Sequence, residues 1–436
     1  MREITDELLA RMHESYADDR NAKTLTAAMA KTDMADLAFL PMEAARLNGE
    51  FAIEVKTHGI TAQEQSGRCW MFASMNVIRE KIIANCNMDE NFELSGNYLA
   101  FWDKLEKANN FLEMIIKYAD EDLNSRRVSE LLANVIGDGG WWSEFVDLVE
   151  KYGLVPKAAM PETRTSSFTA KFLVMTKKLL RKDACELRNT IAAGQDPTAR
   201  KEEMMIEVYK FFCQVFGEPP MTFDFSWRDK DKEYHTDFGL TPAEFRDKYL
   251  NCNLQDYVFI DCEPSAIKPY YIRHSVHSSC NMVEKDITLI NLPIDEIKEL
   301  VLKQLKDGEI VWFGCDSRQF GERTKGYWDM KSFDYEGLMG GVDLSMSRED
   351  QLAYRESDAC HDMCLIGVNF DENGKPNRWK IENSWGTKWG MDGYFVASDE
   401  YFDQYVYEAV IHKKHLTEAQ LKLLEQEPVR FEPWEI

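Results

Sequence analysis

The sequence predicts an α+β fold, because its two halves carry different periodicities. Up to about residue 216 the apolar residues recur at helical spacing; beyond "GEPP" (217–220) they fall into short β-rich runs. In the first half, "RCWMFASMNVIREKIIAN" sets Trp70, Ala73, Val77, Ile78 and Ile82 along one side of a helix that begins near Cys69, just after a break at Gly67. "FWDKLEKANNFLEMIIKYAD" and "WWSEFVDLVEKYGL" repeat the pattern, the second closing at Gly153 with Pro156 soon after. A helical pair follows over 168–216, interrupted at "AGQDPT", and its charge runs, such as "RKEE", read as solvated faces. In the second half "TFDFSW", "DYVFID", "ITLINL", "IVWFGC", "CLIGVNF", "RWKIENSW", "GYFVAS" and "YVYEAVIH" read as strands. One helix interrupts them at about 294–307, with Ile294, Ile297, Leu300, Val301 and Leu305 along one side. "LTEAQLKLLEQEP" makes a last short helix, with Thr417 and Gln420 at capping-box spacing. No internal repeat is visible.

Composition narrows the class. At 436 residues, 44% apolar and 29% charged, the chain has ample material for a large core, and no low-complexity linker divides it. The first thirty residues have neither a basic flank nor an apolar run, so no secretory signal is expected. Nowhere do about 18 uncharged apolar residues run together, which argues against a membrane span. Ten scattered cysteines lack the spacing of a disulfide framework and read as reduced thiols. The expectation is a soluble, cytoplasmic protein. A formal charge of −24 repels phosphates and argues against a nucleic acid partner. His274, His277 and Cys280 in "RHSVHSSC" mimic a metal-ligand spacing, but no second cluster accompanies them. The stretch reads as a polar surface strand or loop, and neither a metal nor a cofactor is expected. Cys360 and Cys364 read as small core hydrophobes.

Cys69 is the residue with the most chemical potential. A free thiol is mostly protonated at neutral pH; a helix N-terminus and a nearby imidazole both favour the thiolate. His361, opening the apolar run "HDMCLIGVNF", is the candidate base, and the amide of Asn383 in "IENSWGTKWGMDGY" can hold its other ring nitrogen. Trp385 would shield that hydrogen bond from water. Gln63, on the loop before the helix, can donate to an oxyanion together with the backbone N–H of Cys69.

The order Gln63, Cys69-Trp70, His361, Asn383-Ser384-Trp385-Gly386 resembles that of papain-type cysteine peptidases. Nearly three hundred residues separate Cys69 from His361, and Ser66 stands where secreted members carry a cysteine; both features point to the bleomycin hydrolase and bacterial aminopeptidase C branch. "FWDKLEKANNFLE", "DGGWWSEFVDLVEKYGLVPKAAMPE", "RDKDKEYH" and "YEAVIHKKHLTEAQLKLLEQEP" carry that resemblance over nearly the whole chain. It implies a two-lobed papain-like fold with a helical lobe, a β-barrel-like lobe, a helical insertion and an N-terminal arm. The expected division is 1–56 for the arm, 57–164 for the helical lobe with the nucleophile, and 165–250 for a helical and hairpin insertion. The β-rich lobe with the histidine and asparagine then spans 251–415, and a C-terminal arm 416–436. The resemblance further implies an intracellular aminopeptidase acting on small peptides, a homohexamer, and substrate-binding roles for Gly139 and Gly140 in "GDGG", where the absence of side chains permits close approach of a peptide.

Two departures from the family pattern are visible. Asp362 stands where alanine usually follows the histidine; strand alternation would turn it to the face away from the triad, leaving the triad intact. The chain also stops at "FEPWEI", several residues before the family's tail, whose terminal carboxylate holds the substrate's free amine. Either Glu435 and the carboxylate of Ile436 fill that role, or the shorter arm admits endopeptidase or dipeptide-releasing activity. A hexameric nucleic-acid binder, opposed by the charge, and an inactive scaffold, opposed by the filled active-site positions, are the alternatives from other classes.

Overall fold

In the computed structural model, which describes residues 1–88, 92–276 and 280–435, helices pack against both faces of a large mixed sheet, most of them in a layer on one face. The helix Cys69–Asn85 lies between the helical layer and the sheet, so it is buried on nearly all sides instead of along a single stripe. Trp70, Met71, Ile78 and Ile82 are essentially inaccessible; each such side chain contributes about 1.5–3 kcal/mol through burial. Arg79 of this helix is buried with it, and is matched by Glu80 at 2.8 Å and by Glu382 of the sheet at 2.9 Å.

The helices Gly96–Lys117 and Trp142–Tyr152 complete the helical layer. Ser95 caps the first through the Tyr98 N–H at 3.0 Å. The second stops at Gly153, as its sequence implies: φ is 75° there, and a Cβ would collide with the backbone of Pro242. Ala170–Ala192 and Thr198–Phe216 form the expected helical pair, docked onto Gly96–Lys117 by edge-on rings of Phe101, Phe172, Phe212 and Phe216. "TFDFSW" becomes the strand Phe223–Arg228. Its only partner among the described residues is Tyr234–Leu240, so this hairpin stands apart from the main sheet.

Nine strands form the body of the main sheet: β1 (Tyr257–Asp261), β2 (Arg273–Val276), β3 (Ile287–Asn291), β4 (Val311–Cys315), β5 (His361–Phe370), β6 (Pro376–Glu382), β7 (Tyr394–Ser398), β8 (Val406–His412) and β9 (Val429–Phe431). They are ordered β9-β2-β3-β1-β8-β4-β5-β6-β7, and short strands at Tyr327–Trp328 and Gly321–Glu322 extend the β7 edge. Ile53–Glu54 pairs with β5, so segments from both ends of the chain join the sheet. One sheet face meets the helix Cys69–Asn85: Trp312 Nε1 donates to Trp70 O at 3.2 Å, and Cys364 Sγ lies 3.3 Å from Ala73 O. The opposite face, with Met363 and Leu365, packs on the helix Ile294–Lys306 through Ile297, Leu300 and Val301. Thr417 and Gln420 form the expected capping box.

Two sequence expectations are corrected. Within "RHSVHSSC" the described residues are not a surface stretch: His274, Ser275 and Val276 of β2 and Cys280 are buried, His274 is 1% exposed, and its Nε2 meets Asp261 Oδ2 at 2.9 Å. The apolar neighbours of β2 come from elsewhere in the sheet, so its local polarity misleads; His277 lies outside the described residues. Cys364 is buried but Cys360 is exposed, because it precedes the strand and turns toward Asp316 instead of the core. All ten cysteines are unpaired.

Candidate active site

Two loops from opposite halves of the chain are joined by their backbones. Gln63 N donates to Ser384 O at 2.8 Å, and Gly386 N donates to Thr61 O at 3.0 Å. Gly386 holds φ at 78°, which turns the chain back onto the first loop. Gln63 is fixed at both ends of its amide: Oε1 accepts from Ser384 Oγ at 2.7 Å, and Nε2 donates to Ser66 O at 2.8 Å. That sets the orientation of the amide and leaves Nε2 a second hydrogen.

Cys69 is the first residue of its helix, where backbone N–H groups lack intrahelical partners and the helix dipole favours an anion. The entry to this helix is pinned by Arg68, buried and paired with both oxygens of Glu162 at 3.1 and 3.0 Å, with its Nε on Ser66 Oγ at 2.8 Å. Gly67 is required by contact: a Cβ there would stand 2.9 Å from the Asp138 Cβ. Asp138 in turn accepts the Trp70 indole N–H at 2.8 Å, so the 137–140 loop is anchored over the nucleophile helix.

His361 opens β5, and its Nε2 lies 2.9 Å from Asn383 Oδ1, which also accepts from Ser384 N at 2.7 Å. Asn383 Oδ1 is therefore an acceptor, Nε2 carries the hydrogen, and Nδ1 is the basic nitrogen of the neutral ring. Trp385 stacks on the imidazole with centroids 4.8 Å apart, and Arg323 lies 4.3 Å over the Trp385 ring. Burial lowers the His361 pKa to about 4; the Asn383 hydrogen bond opposes this and the Arg323 charge adds to it.

Asp362 does not point away from the site. It lies on the sheet face that meets the nucleophile helix, and Cys69 Sγ donates to its Oδ2 at 3.3 Å. Alternation holds within β5, but His361 is the strand's first residue, and its ring leans over the sheet end toward the 383–385 loop. Burial, and then the Asp362 charge, push the Cys69 thiol well above its ordinary pKa. The carboxylate therefore acts on the sulfur, whereas strand alternation from His361 implies that it faces away.

Gly139 is exposed and lines a cavity with Lys107, Gly137, Cys280, Glu432 and Trp434; its carbonyl accepts from Lys107 Nζ at 2.5 Å. At Gly140 packing by itself requires glycine, since a Cβ there would meet the Trp70 ring at 2.7 Å. The C-terminal segment is held beside this cavity by Arg127 on Glu432 at 3.0 Å and Arg126 over the Trp434 ring at 5.1 Å. Ile436 lies outside the described residues. Sequence reasoning placed Ser384 in the Asn383–Gly386 motif but did not foresee that it fixes Gln63, and it missed Arg323, which covers Trp385 and has no local sequence signal. It also missed Glu408, which reaches the site only through strand pairing.

The family model described as the Peptidase C1-like family matches residues 3–436. Aminopeptidase C of Listeria innocua is 40% identical over 434 residues, covering 99% of this chain and 98% of that protein. Aminopeptidase C of Streptococcus thermophilus is 43% identical over 389 residues, covering 88% and 87%. Aminopeptidase W of Lactobacillus delbrueckii is 36% identical, covering 99% of each chain. The crystal structure of PepW from Lactobacillus rhamnosis superposes with a TM-score of 0.96 at 41% identity, covering 99% of this chain and 98% of that one.

Proposed function

Because the chain belongs to the Peptidase C1-like family, a family of cysteine-type peptidases, we propose that it is an aminopeptidase releasing N-terminal residues from small peptides, with Cys69 as nucleophile. The observation that carries the residue assignment is the joining of the two loops, which brings Gln63 beside Ser384 while Asn383 holds His361 and Asp362 touches the Cys69 sulfur. His361 Nδ1 takes the thiol proton as sulfur attacks the scissile carbonyl carbon. The free Nε2 hydrogen of Gln63 and the Cys69 backbone N–H receive the oxyanion. The imidazolium then protonates the leaving amine, a thioester remains on Cys69, and water activated by His361 hydrolyses it. Trp385 excludes water from the His361–Asn383 hydrogen bond, and Gly139 offers backbone groups to the peptide.

No described helix is long and apolar enough to cross a membrane. A cytoplasmic location and a homohexamer are the further parts of this reading, carried by the likeness to the aminopeptidase C relatives. One peptide is assayed with its amine free and N-acetylated, using wild type and Cys69→Ser. Release of the first residue from the free-amine form, lost in Cys69→Ser, supports the proposal. Cleavage only at internal bonds would replace it with an endopeptidase.

A further inference from the structure

Strand pairing builds a row of acidic residues beside the nucleophile. Asp261 of β1 lies opposite Glu408 of β8, Glu408 opposite Gly314 of β4, and Gly314 opposite Asp362 of β5. Residues paired this way share one face of a sheet. Here it is the face that meets the helix Cys69–Asn85, because Trp312 and Cys364, two positions along their strands, contact that helix. Gly314 leaves the middle of the row open. A Cβ at that position would run into Glu408 Oε2 and stand 3.0 Å from Asp362 Oδ1, so the two carboxylates converge over the glycine. The other oxygen of Asp362 is the one 3.3 Å from Cys69 Sγ.

The charges in this row are unevenly matched. Asp261 has Lys268 at 3.4 Å and His274 at 2.9 Å. Among the described residues neither Asp362 nor Glu408 has a cation within ion-pair distance, although they are only 9% and 6% exposed. The Trp141 indole gives Glu408 a hydrogen bond but no charge. Buried carboxylates without countercharge are costly and are ordinarily paired. Burial raises Asp362 to about 7, and burial reinforced by Asp362 and Asp261 raises Glu408 well above the carboxylate range. The more distant charge of Lys268 and the Trp141 hydrogen bond oppose this at Glu408, as the Cys69 thiol does at Asp362, but none of them reverses it; a small cation seated between the two carboxylates would.

We propose that Asp362 and Glu408 form the seat for a substrate ammonium group beside Cys69, an inference that rests on the peptidase reading above and specifies its selectivity. In an N-terminal residue the amine nitrogen lies about 2.5 Å from the carbonyl carbon that sulfur attacks, across the N–Cα and Cα–C bonds. A carboxylate 3.3 Å from the sulfur is therefore within reach of that amine when the carbonyl is in place. The bound ammonium also neutralises the charge that opposes the thiolate, so the substrate itself helps to activate the sulfur. A lysine side chain one residue upstream of the scissile bond would bring the same chemistry.

The test uses the full-length protein, its Asp362→Asn and Glu408→Gln variants, and two pairs of substrates with one common scissile amide. The first pair compares a free amine with its N-acetyl form. The second compares N-acetylated peptides bearing lysine or norleucine upstream. The seat predicts that one cationic substrate is preferred over its neutral partner. It also predicts that this preference falls at least about tenfold in each variant, mainly through KM. The pair that responds identifies the source of the ammonium. Preferences unchanged in both variants overturn the seat while leaving the peptidase reading intact; a wild type that cleaves none of the substrates overturns that reading. A second measurement needs neither variant nor turnover: alkylation of wild-type Cys69 by iodoacetamide in the presence of leucinamide or N-acetyl-leucinamide. A changed rate with leucinamide alone supports the seat, and equal effects of the two amides overturn it.

Discussion

Replacing Gln63 by alanine removes a single proposed oxyanion donor, and the structure fixes what else is lost. The Gln63 amide is held by Ser384 Oγ at 2.7 Å and Ser66 O at 2.8 Å, so its remaining hydrogen is aimed before substrate arrives. A donor positioned in this way contributes about 2.7–4 kcal/mol to the transition state, or roughly 10²- to 10³-fold in kcat. The same truncation strands the Ser66 carbonyl and the Ser384 hydroxyl in a buried site, at about 1–3 kcal/mol each if water does not replace the amide. Gln63→Ala is thus expected to lose at least about 10²-fold in kcat, with KM little changed and with a lower melting temperature. The rate of Cys69 alkylation by iodoacetamide, which involves no oxyanion, should stay near that of wild type. Steady-state kinetics, thermal melting and alkylation on one preparation separate these effects. A kcat loss below about tenfold, or a parallel loss of thiol reactivity, would refute the assignment.

Asn383→Ala frees the imidazole that Asn383 now holds at 2.9 Å, and kcat should fall by about 10²-fold or more; a smaller loss would mean that Trp385 stacking alone orients the ring. Glu162→Ala leaves the buried Arg68 guanidinium without its carboxylate and should cost about 3 kcal/mol, read as a lower denaturation midpoint, whereas Glu162→Gln should cost less. Equal midpoints for the two variants would show that the charge is immaterial. Activity should also depend on pH through Asp362, which is faced by Cys69 and, across Gly314, by Glu408; Asp261, on the far side of Glu408, is matched by Lys268 and His274. With its pKa raised to about 7, Asp362 loses its charge as pH falls through that value. Wild-type kcat/KM on an ammonium substrate should decline there, and the acidic limb should move down toward the His361 value of about 4 in Asp362→Asn. An unmoved limb would show that Asp362 does not set it.

Much of this architecture was legible because local signals and tertiary packing agree. The helix start at Cys69 after Gly67, the stop at Gly153 and the capping box at Thr417 are each written in a few adjacent residues. Gln63, Cys69, His361 and Asn383 were legible as residue types in a given order. The docking of the two loops that carry Gln63 and Asn383 was not, since it depends on backbone bonds between residues 61–63 and 384–386. Where the sequence misled, distant neighbours decided the outcome. β2 looks polar in isolation but is buried by the strands beside it. Asp362 obeys strand alternation and yet reaches Cys69, because the histidine before it stands at the strand end and leans off the sheet. Glu408, inside the apolar run "YVYEAVIH", gains its place from cross-strand register with Gly314 and Asp362. No property of its immediate neighbours encodes that.

The central claim is that one cysteine among ten carries the acyl group. Rapid acid quenching during turnover of an amino acid ester, followed by peptide mass mapping, locates that group directly. The account predicts an aminoacyl thioester on Cys69, present with wild type and absent with Cys69→Ser. An acyl group on another residue, or sustained turnover by Cys69→Ser, would contradict it.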